Sequence, residues 1–456
     1  MSADPEAETP GSPVEQHGRR SKPARRYAWI AVALIGIVAL GTVLVGGPVP
    51  ELISALSRRA LLQADFTRAE RYIDLGRRLS PQNAELEFLD ARLRRHLGQA
   101  DRSLELLRRA KSHGFSSDRV DTEKILIRST AGDTSALEQR LPQLLVAGVD
   151  LDEICEALVL GYLISYRLDD AETVLQVWLQ DFPEDPKALF LLGRLLEHRE
   201  DLPGAAQQYR LAAEQGHGPA AFALGGVLRQ RQQIDKALPF AVLATEQLYD
   251  PQPGLVLQAR LHRLENRLQQ ADECLDQAAK SDPQRALTAW VIAGIPASDA
   301  LSQVEAERGE LALAREDFAA AETSFREALK KTPQRWRLQH RISEALRLQG
   351  KVAEATEHLE RYQEIIDALE DCGKMVDRLR SHPEDIEARL AVARTLMENV
   401  SPEQGRTWLE SVLFYDPENQ EALRELYEFY RDHASEHPEY AKLAEQHLSQ
   451  LKAVQK

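Results

Sequence analysis

One position in this chain recurs on a clock. A small residue, or one standing in its place, falls at Ala69, Ser103, Leu137, Ala171 and Ala205, each 34 residues after the last. It falls again at Ala237, Ala271, Ala321, Ala355 and Gly405, in steps of 32, 34, 50, 34 and 50. A fixed period of this length means that one small unit repeats and buries its apolar face against its neighbours. That displaces the three ordinary domains that 456 residues would otherwise suggest.

Around the recurring position the order is small residue, three others, large apolar residue, two others, small residue, then proline. The clearest copies are Ala205/Tyr209/Ala212, Ala271/Leu275/Ala278/Pro283 and Ala321/Phe325/Ala328/Pro333. Twelve residues upstream lies a second small position: Ala91, Gly193, Gly225, Ala259, Gly309 and Ala393. A bulky residue follows by three at Leu196, Leu228, Leu346 and Leu396. Small residues let two helices approach and large ones fill the space left, a knob and a notch. Gly132 and Gly350 mark turns where positive φ is needed. Pro81, Pro183, Pro283, Pro333 and Pro417 are expected to end second helices. Aromatics are only 6%, and abundant Ala, Leu, Glu, Gln and Arg favour helix nearly everywhere.

This pattern resembles the tetratricopeptide repeat (TPR) family, whose helix–turn–helix unit has 34 residues with small residues at positions 8, 20 and 27 and proline at 32. The resemblance spans roughly 50–435 in about ten copies; Sel1 and HAT repeats fit less well. It implies an all-α fold, an α-solenoid of about ten such repeats, and a protein-interaction scaffold without enzymatic activity. The family's aromatic at position 4 is mostly Leu here, as at Leu189 and Leu255. The copy at 118–151 departs furthest, with Leu137 and Leu151 at the small-residue and proline sites.

The two steps of 50 each add 16 residues, which divides the array: about seven repeats over 50–285, an insertion at 286–301, further repeats over 302–362, a second insertion within 363–385, and the final repeats and capping helix over 386–456. Ile365, Ile366, Leu369, Met375, Val376 and Leu379 predict one longer or extra helix in the second insertion, the alternative being a solvated spacer.

Ahead of the array, residues 1–26 read as a disordered tail ending in Arg19, Arg20, Lys22, Arg25 and Arg26. From Tyr27 to Gly47 no residue is charged. As a helix this stretch would reach about 31 Å, the thickness of a hydrocarbon core, and it is expected to be an uncleaved transmembrane anchor. Its basic N-terminal flank places the N-terminus in the cytoplasm and the array on the periplasmic or extracytoplasmic side. A cytoplasm-facing, receptor-type adaptor is the alternative.

The formal charge of −15 is unevenly spread: residues 1–111 carry 18 Lys/Arg against 13 Asp/Glu, and the remainder 39 against 59. A body this acidic repels phosphate backbones, so no nucleic-acid partner is expected. Three dispersed cysteines form no C-x-x-C pair and read as small core residues. Nucleotide-binding, zinc-protease and serine-hydrolase signatures are absent, and no cofactor or metal is expected. His96, His198 and His358 read as solvated, as do His433 and His437, which share a helical spacing. An activity assembled in the two insertions is the only enzymatic alternative.

In TPR-like arrays positions 2, 5, 9 and 12 of the first helix line the concave groove. Positions 9 and 12 of the ten repeats hold nine arginines in twenty places: Arg58, Arg92, Arg95, Arg194, Arg229, Arg260, Arg263, Arg347 and Arg394. Random placement of 44 Arg would give about two, and the bias of Arg toward surfaces a few more. Only Glu197, Glu310 and Glu344 are acidic there. The expectation is a basic groove that binds an acidic or extended peptide, or an anionic glycan, through bidentate pairing. The Lys and Asn of the family's chaperone-tail clamp are missing, so that partner does not carry over. Cell-envelope assembly or export suits an anchored protein of this kind.

Overall fold

The computed structural model describes residues 48–148, 150–435 and 440–454. The expected tail and membrane span, at 1–26 and 27–47, lie outside them, as does His437. Among the described residues no helix is long and apolar enough to cross a membrane, and every regular element is a helix.

The helices pair as hairpins, beginning with Pro48–Leu62 and Phe66–Leu79, then Ala84–His96 and Ala100–Ser112. The 118–151 copy still makes one, Ser117–Thr130 with Ser135–Ala147, and its Leu137 is fully buried. Leu151 opens the next helix, Leu151–Ile164, which pairs with Leu168–Asp181. The turn inside the hairpin keeps the clock in nine of the ten copies, the exception being Val400, which has φ of −127° ahead of Gly405. Ala64, Gly98, Gly132, Tyr166, Glu200, Gln232, Asn266, Glu316 and Gly350 all have φ between 54 and 107°, each five residues ahead of a recurring small position. Residue types that resist this conformation adopt it because the hairpin demands it.

Knob and notch are literal. A Cβ on Gly193 would overlap the ring of Tyr209, and one on Gly309 the ring of Phe325; both rings are completely buried. Where serine takes a small position its hydroxyl also reaches the paired helix: Ser103 Oγ donates to Ala91 O at 2.6 Å, and Ser343 Oγ to Ala355 O at 2.8 Å. Proline follows the second helix by two residues at Pro81, Pro183, Pro333 and Pro417. Pro283 differs: its preceding helix stops at Ala278, and Pro283 opens Pro283–Ile292 behind the N-cap Asp282, since a fixed φ suits the first helical position.

Successive turns of the solenoid touch one another, so residues 179 to 242 apart in sequence meet. Near the N-terminus, Glu70 accepts from the Tyr249 hydroxyl at 2.7 Å and from Arg285 at 2.8 Å, while Leu89, Leu93 and Leu97 share a core with Tyr249 and Ala289. Near the C-terminus, Arg380 donates to the Tyr166 hydroxyl at 3.1 Å and to Glu200 at 2.9 Å, and Tyr166 packs on Trp408.

Both insertions make these contacts. The first carries Ala289 and Ile292 into the N-terminal core. The second extends one helix to 30 residues, Val352–Ser381, whose far end delivers Arg380.

Candidate functional site

The nine groove arginines do not form one continuous surface. Arg58 pairs with Glu85, and Arg394 with Glu421 at 2.8 Å and with Glu425. Arg347 is exposed and makes no ion pair among the described residues. Arg194 is covered by the first insertion, its guanidinium lying where a Cβ on Gly294 would stand.

Arg92 and Arg95 are buried in an ion network and are not open to a ligand. Arg92 forks onto Glu123 (3.0 Å) and Asp150 (2.9 Å), and Arg95 onto Glu123 (2.7 Å) and Glu153. His96 joins at 3.0 Å from Glu153, and Lys187 at 2.9 Å from Glu156. Burial alone would raise the Glu123 carboxyl, but Arg95 and Arg92 outweigh it and hold it below its ordinary value. His96, Glu153 and Glu156 have the spacing of a metal cluster. Arg95 and Lys187 already take up their carboxylates, and a further cation would be repelled.

So two histidines expected on solvated faces are not there. The His96 side chain lies within this network, and His198 sits edge-on to Tyr166. His96 is taken up between repeats and His198 beside Tyr166, which the helical period alone does not reveal.

The remaining three arginines converge. Arg229 lies on Gly218–Gln230, and Arg260 and Arg263 on Gln252–Leu264, the first helices of neighbouring hairpins. They line a cleft of about 440 Å³ together with Arg335, which precedes the helix Arg337–Leu348, and Arg337 and Arg341 within it. Glu307 and Glu310 are its only acidic lining groups among the described residues. Glu307 is buried and divides its oxygens, Oε2 accepting from Arg260 at 2.9 Å and Oε1 from Arg263 at 2.7 Å. Arg341 is held by Glu310 at 2.6 Å and Glu344 at 2.7 Å.

Arg229, Arg335 and Arg337 make no ion pair among the described residues. Burial, then the like charge of Arg260, pulls Arg229 below its ordinary value, and its buried Nε has no hydrogen-bond partner among the described residues. Arg335 is likewise lowered by burial and by Arg260, the latter against the pull of Asp299. Neutral groups aim it: Nη1 donates to Ser302 Oγ at 2.9 Å, and that oxygen accepts from Thr332 Oγ1 at 2.7 Å. Arg337 lies 4.2 Å above the Trp336 ring. Tyr362 forms an aromatic wall, 5.6 Å from Trp336 and 4.9 Å from His340.

Counting the six arginines against two glutamates, the lining is four charges positive in a chain that is negative overall. Such a concavity attracts and orients an oxyanion. Arg335, Arg337 and Arg341 escaped the sequence reading because they occupy neither position 9 nor position 12. A spacing of 31 residues sorts three of the others. Arg92 meets Glu123, and Arg394 meets Glu425, each 31 residues on. The residue 31 on from Arg229 is Arg260, a like charge, so that site stays uncompensated.

Residues 166–219 and 307–368 match the Tetratricopeptide repeat family, and the chain carries such repeats in an all-helical solenoid. No curated protein matches the chain. Among solved structures, human IFIT1 dimer with m7Gppp-AAAA is similar at 14% identity over 87% of this chain and 94% of that one, with a TM-score of 0.42. Yeast Tom70 is similar at 15% identity over 89% and 88%, with a TM-score of 0.34. The Cut9-Hcn1 hetero-tetramer of APC/C is similar at 12% over 88% of each chain, with a TM-score of 0.38. At these scores no ligand or partner passes from them to this chain.

Proposed function

We propose that this protein is a non-enzymatic scaffold, held at a membrane by residues 27–47, whose repeat array recruits an acidic segment of a partner protein into the arginine cleft. The observation that carries this reading is the cleft itself: six guanidiniums against two carboxylates in one concavity of a chain whose net charge is −15. The binding surface is narrower than the groove expected from repeat positions 9 and 12, because self-pairing removes Arg92, Arg95 and Arg394 and the first insertion covers Arg194. The basic flank at Arg19 to Arg26 supports a cytoplasmic N-terminus with the array on the far side. Envelope assembly or export is the setting that such a tethered array fits, and an anionic glycan is the ligand that would replace the peptide if uronic acids rather than side chains filled the cleft.

The test is binding of a labelled oligoglutamate peptide to the full chain in detergent, compared with an Arg229→Glu/Arg337→Glu variant. These two positions lack carboxylate partners, so reversing them leaves no buried acid stranded, as reversing Arg260 and Arg263 would strand Glu307. Salt-sensitive binding lost in the variant is expected; equal binding by both proteins would sink the cleft as the site. A reporter fused after Lys456 reads the side of the membrane.

A further inference from the structure

The anion that fills the cleft can be narrowed by asking which of its charges are already spent; this step rests on the cleft being the binding site. Glu307 uses both oxygens on Arg260 and Arg263, and Arg341 is bound by Glu310 and Glu344. What is left is a set of three guanidiniums, Arg229, Arg335 and Arg337, with no ion pair among the described residues. Arg335 and Arg337 are held by neutral contacts, to Ser302 Oγ at 2.9 Å and to the Trp336 ring at 4.2 Å; Asp299 acts on Arg335 without forming an ion pair, so both are aimed without being paired. One carboxylate brings a single charge and two oxygens, which one guanidinium fork satisfies. Three forks at one concavity match a group with about two charges and three acceptor oxygens.

We infer that the cleft seats a phosphoryl group on Arg229, Arg335 and Arg337. The group arrives on a phosphorylated side chain of the partner or as a free phosphate ester, and Tyr362 gives its carrier an apolar wall. A long polyphosphate backbone is disfavoured, because outside the cleft the chain is strongly acidic.

The experiment is titration of the full chain in detergent, at fixed ionic strength, with three probes: a short phosphoserine peptide, the same peptide with glutamate in its place, and inorganic phosphate. The phosphopeptide should bind at least about ten-fold tighter than the glutamate peptide. Arg335→Gln and Arg337→Gln should each erase that preference. Arg337 is exposed and supports no other residue through a hydrogen bond, so its variant keeps the test valid if Arg335→Gln fails to fold. Competition by inorganic phosphate at matched affinity would assign a free phosphate ester, and its failure to compete a phosphorylated segment; either supports the seat. Glutamate peptide binding as tightly as phosphopeptide overturns the phosphoryl inference and leaves the acidic-partner reading standing. No binding of any probe overturns both.

Discussion

The guanidinium of Arg389 donates to the main-chain oxygen of Ser165 at 3.1 Å, across 224 residues of sequence. Arg389 is fully buried, donates also to Ser411 Oγ at 2.8 Å and Pro383 O at 2.7 Å, and lies 4.4 Å from the Tyr415 ring. It has no carboxylate partner among the described residues. One side chain thereby fastens the last repeats to the turn at Ser165–Arg167, where Arg167 in turn stacks at 3.5 Å on Phe414.

Removing that fastener tests whether contact between turns contributes to stability. Arg389→Ala leaves a large cavity and three unpaired acceptors, and we expect it to cost about 3 kcal/mol in urea unfolding. Arg389→Met fills most of the volume and should cost clearly less, since a buried charge is itself expensive. If Arg389→Ala unfolds at the wild-type midpoint, the contact is incidental.

The recurring left-handed turn residue carries a second expectation. Gln232 and Glu316 hold φ of 58 and 61° with exposed side chains. Relief of the left-handed penalty exceeds the extra freedom glycine gives the unfolded chain, so Gln232→Gly and Glu316→Gly should each stabilise by up to about 1 kcal/mol. Gly350→Ala should do the reverse by a similar amount, because a Cβ there meets nothing within 4 Å and only the backbone term remains. Thermal unfolding of the three variants decides the sign.

What the sequence makes legible follows from the range of the contact. Gly193 against Tyr209 and Ala271 beside Leu275 are set within one or two hairpins, and a 34-residue period exposes them. The cover of Arg194 by Gly294 and the hold of Arg389 on Ser165 depend on where one turn of the solenoid meets the next. That distance accumulates small rotations over many repeats, and no local spacing encodes it. The cleft is intermediate. Arg229, Arg260 and Arg263 are legible as groove positions, but that Arg229 stays unpaired while Arg92 does not depends on which residue stands one repeat further along, Arg260 in one case and Glu123 in the other.

Acid should weaken the fold through two histidines, His217 buried and His198 half-buried. Burial, then Arg194 and Arg380, brings His198 down to about 4; burial and Lys187, against the opposing pull of Glu156, bring His217 to about 4. The unfolded chain takes up these protons near pH 6.5 and the folded chain only near 4. Stability is therefore full above about 6.5 and falls as pH drops toward 4, by roughly 3 kcal/mol per histidine at most. His96 runs the other way. Burial lowers it, but Glu153 and Glu156 outweigh burial and raise it, so its contribution is present below about 6.5 and lost as pH rises through the raised value. His217 Nδ1 accepts the Ala220 N–H at 3.2 Å as an N-cap. His217→Asn keeps a capping acceptor and removes the titration, and urea midpoints between about pH 7 and 4.5 should fall less steeply in the variant. Parallel curves would rule His217 out as a source.

The knob and notch obey a volume rule that a double-mutant cycle can measure. Sixteen residues after five of the upstream small positions stands a knob; Gly225 is the exception, since residue 241 is Ala and a Cβ on Gly225 would meet Leu257 instead. Gly193 faces Tyr209 and Gly309 faces Phe325, whereas Ala91, Ala259 and Ala393 stand sixteen before the buried Leu107, Leu275 and Leu409. In these five pairs glycine meets a ring, and alanine goes with leucine. Gly193→Ala alone drives a methyl into the Tyr209 ring and should cost about 1–3 kcal/mol by overpacking. Tyr209→Leu alone leaves a void beside Gly193 and removes the hydroxyl that donates to Glu197, and should cost about 2–4 kcal/mol. The two together recreate the Ala259/Leu275 pair, so the double variant should be more stable than the sum of the singles by about 1–2 kcal/mol. Strict additivity in urea unfolding would mean that the glycine serves the helix backbone and not the ring beside it.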